Sequence, residues 1–478
     1  MKFGPLAPDK AKSGNPDILT VASGAYPMED GYRPIGQFST LFTALPAAPK
    51  GGASFTSPQG LSYLIAGTAT SLYKAQSGGW ASIATGYSLL EENRWRFAQF
   101  GGLAIATNGT DVMQQIDLAS GAVSPLPDDG GGTVPKFETL AVVKDFLVGG
   151  VRNGNVMHMG WSGINDARWW KTGQRQADRQ VLPDGGRING ILSGEYGVIL
   201  QRDCIRRMDY VGGNVIFELN VVSSNIGCVS VHSVAQWGVL GFFLSDEGWM
   251  MWDGQQPVPI GREWIDRQFA SLYDVGDWHL MSTAIDPVQG VLIVAMPDKA
   301  WGYSWIFKKW FNIPIVSGIV FSGVTKSISI DEDYTPDMPT DTNIDGAGLP
   351  TLDSLIFKGG DPRLYVFSST FTLGTLTGTP MAATFTGTDL EMFPGRRACL
   401  RSARPDTDAV SGMTLSFLAK QRLGDAGSTV TASSVVTSGD MPCRVSGRFL
   451  RPSLAYAAGT TWNYVKGVDF MGAPGGGR

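Results

Sequence analysis

Charged residues make up only 17% of this 478-residue chain, cysteine occurs four times and histidine three. Each scarcity excludes something. Cys204, Cys228, Cys399 and Cys443 contain no C-x-x-C pair, so a zinc ribbon or a disulfide framework is not indicated and free thiols in a reducing compartment are expected. A Cys399–Cys443 bridge has no support beyond the presence of both residues. His158, His232 and His279 lie far apart and share no ligand spacing. The segment has no Walker sequence, G-x-S-x-G elbow or H-E-x-x-H helix. Apolar runs such as 239–244 are far too short to span a bilayer, and the first residues lack an apolar signal core, so cytoplasmic synthesis without membrane integration is expected. The net charge of −5 argues against tight gripping of nucleic acid, which needs a basic surface.

What the chain has in abundance is glycine (62 residues) and large aromatics, including 14 Trp and 23 Phe, a composition suited to a turn-rich, well-packed β protein. It also repeats. Strand-like apolar runs, each followed by a Gly/Asn/Asp turn, carry a bulky anchor at Tyr73, Ile116, Met159, Met208, Met251, Trp305 and Tyr365, at intervals of 43 to 60 residues. Such a period with several short strands per unit predicts a β-propeller of six to seven blades, because a lone blade cannot bury both faces of its sheet. Asn108-Gly109, Asn153-Gly154 and Asp246-Glu247-Gly248 read as hairpin turns. Leu103–Thr107 reads as a buried inner strand.

The expected organisation is an extended, Pro/Gly-rich N-terminal arm (1–50), a propeller (51–375) and a small C-terminal β-sandwich or barrel (376–478), the last formed with or without help from the arm. Residues 262–273 carry an amphipathic stripe of Trp264, Ile265, Gln268, Phe269 and Leu272, which predicts a short rim helix. Arg396, Arg397, Arg401, Arg404, Arg422, Arg444, Arg448 and Arg451 gather near the end, as either a solvated sheet face with ordinary pairs or a partner-binding patch.

Two carboxylate motifs need weighing. Ser245-Asp246-Glu247-Gly248 misses the S-x-D-x-G-x-x-W box of some propeller glycosidases by one position. Asp341-Thr342-Asn343-Ile344-Asp345-Gly346 opens like a calcium loop, but Leu352 stands where a bidentate Glu is needed, so a plain acidic turn is the simpler reading. Asn108-Gly109-Thr110 is formally a glycosylation sequon and reads as a turn. The tryptophans, Trp161, Trp169, Trp170, Trp249, Trp252, Trp301, Trp305 and Trp310, read as core and seam filling rather than a sugar groove. No catalytic, cofactor-binding or metal residue is nominated.

Four segments in order resemble the tail nozzle or tail hub proteins of short-tailed bacteriophages, including the packaged DNA stabilization proteins. They are RWRFAQFGGLAIATNGTD, DFLVGGVRNGNVMHMGWSGINDARWW, GGRINGILSGEYGVILQRDCIRRMDYVGG and FFLSDEGWMMWDGQQPVPIG. GYRPIGQF near the start, LPTLDSLIFKGGDPRLYVF at the acidic connector and SGRFLRPSLAYAAGTTWNYVKGVD near the end are also similar to that family. The resemblance implies a non-enzymatic virion protein without cofactors, assembled in the host cytoplasm. It implies a homo-oligomeric, hexameric ring below the portal and its adaptor, a tail plug or needle, attached spikes or fibres, and double-stranded DNA in transit through the lumen. The contrasting expectation is a propeller that binds or degrades cell-surface glycans, which calls for paired carboxylates at the central mouth and a groove of exposed tryptophan.

Overall fold

The computed structural model describes residues 1–475 apart from Lys12, Ser77, Asn214, Val316 and 326–359. The acidic connector and the Asp341–Asp345 segment lie outside the described residues.

Seven four-stranded antiparallel blades form a β-propeller. Blades 1 to 6 occupy 51–85, 96–125, 139–181, 188–223, 235–259 and 282–313. Blade 7 is composite. Its strands Ser317–Val324, Pro362–Ser368 and Thr372–Thr375 come from late in the chain, and its fourth strand is Ser39–Ala44. The pairs Thr372↔Ala44, Gly374↔Thr40 and Thr375↔Ser39 set that register. First strands of neighbouring blades lie side by side around the axis, blade 7 beside blade 1, and blades 4 and 5 share an apolar cluster, so the circle closes.

Propeller seams are filled by separate apolar clusters. Tyr63, Ile65, Trp95 and Ile116 pack between blades 1 and 2, and Phe137, Leu147 and Trp170 pack between blades 2 and 3. Leu192, Leu200, Phe243 and Trp252 do the same between blades 4 and 5. Full burial of each such side chain contributes roughly 1.5–3 kcal/mol. Most of the tryptophans fill the core as the sequence suggests: Trp249, Trp252, Trp301 and Trp310 are at most 1% exposed, and Trp161 and Trp170 are buried, while Trp169 and Trp305 are half-buried.

Five of the seven anchors, Tyr73, Ile116, Met159, Met208 and Met251, fall on the third strand of their blade. Trp305 falls one residue past that strand in blade 6, and Tyr365 on the second strand of blade 7. The long final interval arises because residues 325–361 separate the first two strands of blade 7. Asn153 (φ 51°) and Gly154 (φ 77°) both take the left-handed conformation of a type I′ hairpin, the turn that Asn-Gly favours.

A β-sandwich stands against blades 5 and 6. One sheet holds Val21–Ser23, Ala383–Thr386, Phe449–Tyr456, Met413–Lys420 and Ser428–Thr431. The other holds Ala25–Met28, Gly31–Pro34, Val465–Pro474, Ala398–Thr407 and Met441–Gly447. Strict alternation of burial along Met441–Gly447 and Phe449–Tyr456 turns one face of each strand to the shared core. That core includes Phe385, Phe417, Leu454, Tyr456 and Trp462, with Phe3 and Tyr32 stacked or tilted onto Phe385 at ring-centroid distances of 5.3 and 5.0 Å.

The first fifty residues therefore differ from the extended arm expected. They supply three sandwich strands and one propeller strand. Proline excludes helix there, as anticipated, but the edges of late strands offer hydrogen-bond partners that a local reading does not reveal. The two bodies are also joined by backbone. Val21–Ser23 pairs with Ala383–Thr386 on one side and with blade 6 on the other through Ser23↔Asn312, making one sheet of nine strands.

The rim helix spans Asp266–Leu272. Ile265 and Phe269 are buried, but Leu272 is exposed, so the apolar stripe ends a turn early. Its first backbone amides are satisfied from the N-terminal segment: Arg267 N and Gln268 N donate to the Asp9 carboxylate at 2.7 and 2.9 Å.

Candidate functional site: the central axis

The innermost strand of blade 2 is Arg96–Phe100, not the more apolar Leu103–Thr107 that the sequence suggests. A second strand is covered by blades on both faces, whereas the first borders the central shaft and tolerates polar side chains. Two arginines at this strand's start, Arg94 and Arg96, therefore reach into the axis.

Two cavities lie along the shaft. One, of about 350 Å³, is lined by Glu92, Arg94, Arg96, Asn108, Glu138, Arg187, Asn189, Arg202, His232 and His279, among others. The other, of about 200 Å³, is bordered by the inner strands of blades 1, 2, 6 and 7. Arg94, Arg96 and His232 line both, so this layer divides the shaft.

The layer is held by contacts across the axis. Arg94 donates to the His279 carbonyl at 2.8 Å, in the short 3-10 turn before blade 6. Arg96 donates to the Val231 carbonyl at 2.7 Å, in the turn before blade 5. Its guanidinium also meets His232 Nδ1 at 3.1 Å, while His232 Nε2 lies 3.0 Å from the Glu92 carbonyl. A carbonyl only accepts, so Nε2 carries the proton and Nδ1 accepts from Arg96.

Neither Arg94 nor Arg96 forms an ion pair among the described residues. The other charges nearby are compensated: Arg187 pairs with Glu138, and Arg202 with Asp246. Arg94 and Arg96 are half-buried and border the two partly open axial cavities. Desolvation, followed for Arg94 by the neighbouring Arg96, pushes their pKa values down to about 9 and about 10, still high enough to keep both charged at neutral pH. Burial pushes the Cys228 thiol up to about 11, so it supplies no balancing thiolate. Burial first, then Arg94 and Arg96, holds His232 well below the ordinary imidazole range.

This environment sets a pH dependence. A histidine whose folded pKa lies below its unfolded value of about 6.5 binds fewer protons when folded, so stability falls as pH drops below that value toward the folded pKa. The groups opposing protonation are Arg94, Arg96 and His279. Urea unfolding at pH 7 and pH 5 is expected to show a loss that His232→Gln reduces. An equal loss in the variant would remove His232 as its source.

The remaining sequence candidates disperse. His158 lies on the third strand of blade 3, away from this shaft, while His232 and His279 are brought into one cavity despite the 46 residues between them. Asp246 occupies the hairpin turn between Ser245 and Gly248, with its carboxylate engaged by Arg202. Within the terminal arginine group, Arg404 pairs with Asp440, Arg448 with Glu391 and Arg451 with Asp389. All four cysteines are free, and no group of three metal-ligating side chains assembles among the described residues. Among those residues, no helix is long and apolar enough to cross a membrane.

No protein-family model matches the chain, and no curated protein matches it by sequence. Solved structures do. The extracellular domain of a one-component system from B. thetaiotaomicron matches 79% of this chain at 10% identity and a TM-score of 0.42, and the chain spans 45% of that protein's length. A chain of the mitotic checkpoint complex matches 60% of this chain and 87% of its own at 12% identity and a TM-score of 0.39. The Neurospora crassa Pan2 WD40 domain matches 59% of this chain and 88% of its own at 8% identity and a TM-score of 0.36. The protein is an all-β, seven-bladed propeller fused to a β-sandwich, a class defined by its own strand pairing. Similarity at this level assigns no activity.

Proposed function

We propose that this protein is a structural subunit of a closed ring, of the kind formed by the tail nozzle proteins of short-tailed bacteriophages, and that the ring extends a DNA channel below a portal and its adaptor. The observation that carries this reading is the nine-stranded sheet running from blade 6 into the sandwich. It makes one stiff body with broad, chemically different faces, which suits head-to-tail contacts that close by rotation. The ordered run of nozzle-like segments supports the same reading.

In this arrangement DNA travels between subunits. The propeller's own shaft is crossed by Arg94 and Arg96, beside cavities of about 350 and 200 Å³, so it is no conduit for a duplex. A net charge of −5 suits a wall past which phosphates must slide.

Native mass spectrometry of the purified protein, together with its copy number in particles, tests the proposal. Expected is a closed ring and about six copies per particle, the number that the resemblance to tail nozzle proteins implies for a ring closed by rotation. A protein that stays monomeric at all concentrations and is missing from particles would overturn it.

A further inference from the structure

We infer that the divided shaft of the propeller is a binding site for a small dianionic oxyanion, a phosphate or a dicarboxylate, held between Arg94 and Arg96. The inference stands apart from the ring reading and survives its failure.

Two guanidinium groups, one from the start of a first strand and one from the residue two before it, border the partly open axial cavities, and each offers five N–H donors. Arg94 uses a donor on the His279 carbonyl; Arg96 uses its own on the Val231 carbonyl and His232 Nδ1. Their other donors have no acceptor among the described residues. Glu92 lies on the exposed rim and pairs with neither arginine, while Glu138 is committed to Arg187. The layer thus carries two positive charges without an internal counterion, where desolvation makes unpaired charge costly.

Cross-axis staples alone do not explain this choice of residue. Each carbonyl takes one N–H, while each guanidinium brings a full charge and further donors into the shaft. Paired arginines are instead the usual means of gripping carboxylate or phosphate through parallel N–H···O bonds. The 350 Å³ cavity accommodates an anion of that size, and Asn189 adds a neutral polar wall. A bound anion would also relieve the pressure that keeps His232 neutral, so binding and His232 protonation are coupled.

Calorimetric titration of the full chain with inorganic phosphate, sulfate and succinate, at fixed ionic strength, is the test. Expected is saturable binding of at least one of them near one equivalent, weakened about tenfold or more by Arg94→Gln, a loss of at least about 1.4 kcal/mol. Preference for phosphate or for succinate identifies the source. The imidazole resonance of His232, followed by NMR, should titrate at higher pH with the anion present. Because Arg96 holds the turn before blade 5, Arg96→Gln can fail to fold; Arg94→Gln and the wild-type NMR titration carry the test without it. No saturable binding of any of the three, or binding unchanged in Arg94→Gln with an unmoved His232 titration, would overturn the inference.

Discussion

Deleting residues 1–44 is expected to unfold the protein rather than trim it. An extended arm outside the propeller, as the sequence alone suggests for residues 1–50, would be lost without unfolding it; the strand pairing reverses that expectation. Ser39–Ala44 is the outer strand of blade 7, and without it Thr372–Thr375 becomes an open edge and the circle loses its clasp. Leu45 and the blade 7 core around Phe367 and Leu373 would face water. In the sandwich, the deletion removes Val21–Ser23 from the middle of the nine-stranded sheet and Ala25–Met28 and Gly31–Pro34 from the other. Phe3, Leu6, Leu19 and Tyr32, all at most 3% exposed, vanish from the core. At roughly 1.5–3 kcal/mol for each large side chain, their loss alone rivals the 5–15 kcal/mol by which a typical domain is stable. The deletion should yield insoluble protein, or a soluble chain without cooperative melting by circular dichroism. A soluble deletion variant that melts cooperatively near the wild-type temperature would show that the N-terminal strands are dispensable.

Asp389→Ala is expected to cost about 3–5 kcal/mol, the range for removing one partner from a buried ion pair. Asp389 is 4% exposed at its side chain and is gripped by Arg451 through two bonds of 3.0 and 2.7 Å, with Lys420 Nζ at 3.3 Å. Both cations are themselves largely covered, Lys420 at 9% and Arg451 at 19% side-chain exposure, so neither can turn fully to water when the carboxylate is removed. Asp389 also stands where the N-terminal segment meets the sandwich, beside a bridge to Ser13. Lys420→Met should cost less, because Arg451 still neutralises Asp389. Urea midpoints of the two variants check the ranking. Equal losses would mean that packing, rather than stranded charge, sets the cost.

The blade repeat was legible because most units carry their own signals: a glycine or Asn-Gly turn, an apolar second strand and, in five of the seven, a bulky third-strand anchor. Asn153-Gly154 and the two-residue turn after Ser245 sit where local chemistry puts them. Pairings between distant parts of the chain were not legible. Nothing within 39–44 says that its partner is 372–375, since a short polar strand finds its place only through an edge formed elsewhere. The axial site was hidden for a related reason. Arg94 and Arg96 sit in an ordinary-looking polar stretch, and their partners, His232 and His279, come from turns before blades 5 and 6. One signal was available: two arginines at alternate positions, the second opening a first strand and the other in the extended approach to it, are spaced to share one side of the chain, here toward the axis.

The clasp of blade 7 also sets the order of events during synthesis. Residues 39–44 leave the ribosome first and must wait more than three hundred residues for their partner at 372–375. Residues 21–34 wait longer still for 383–474. Contacts so remote in sequence make folding slow, because the loop must close before any pairing compensates for it. Until blade 7 emerges, the growing chain is an open arc with a bare blade at each end. The nascent protein therefore passes through a long aggregation-prone interval in which temperature and chaperone supply, more than final stability, decide how much of it reaches the closed state.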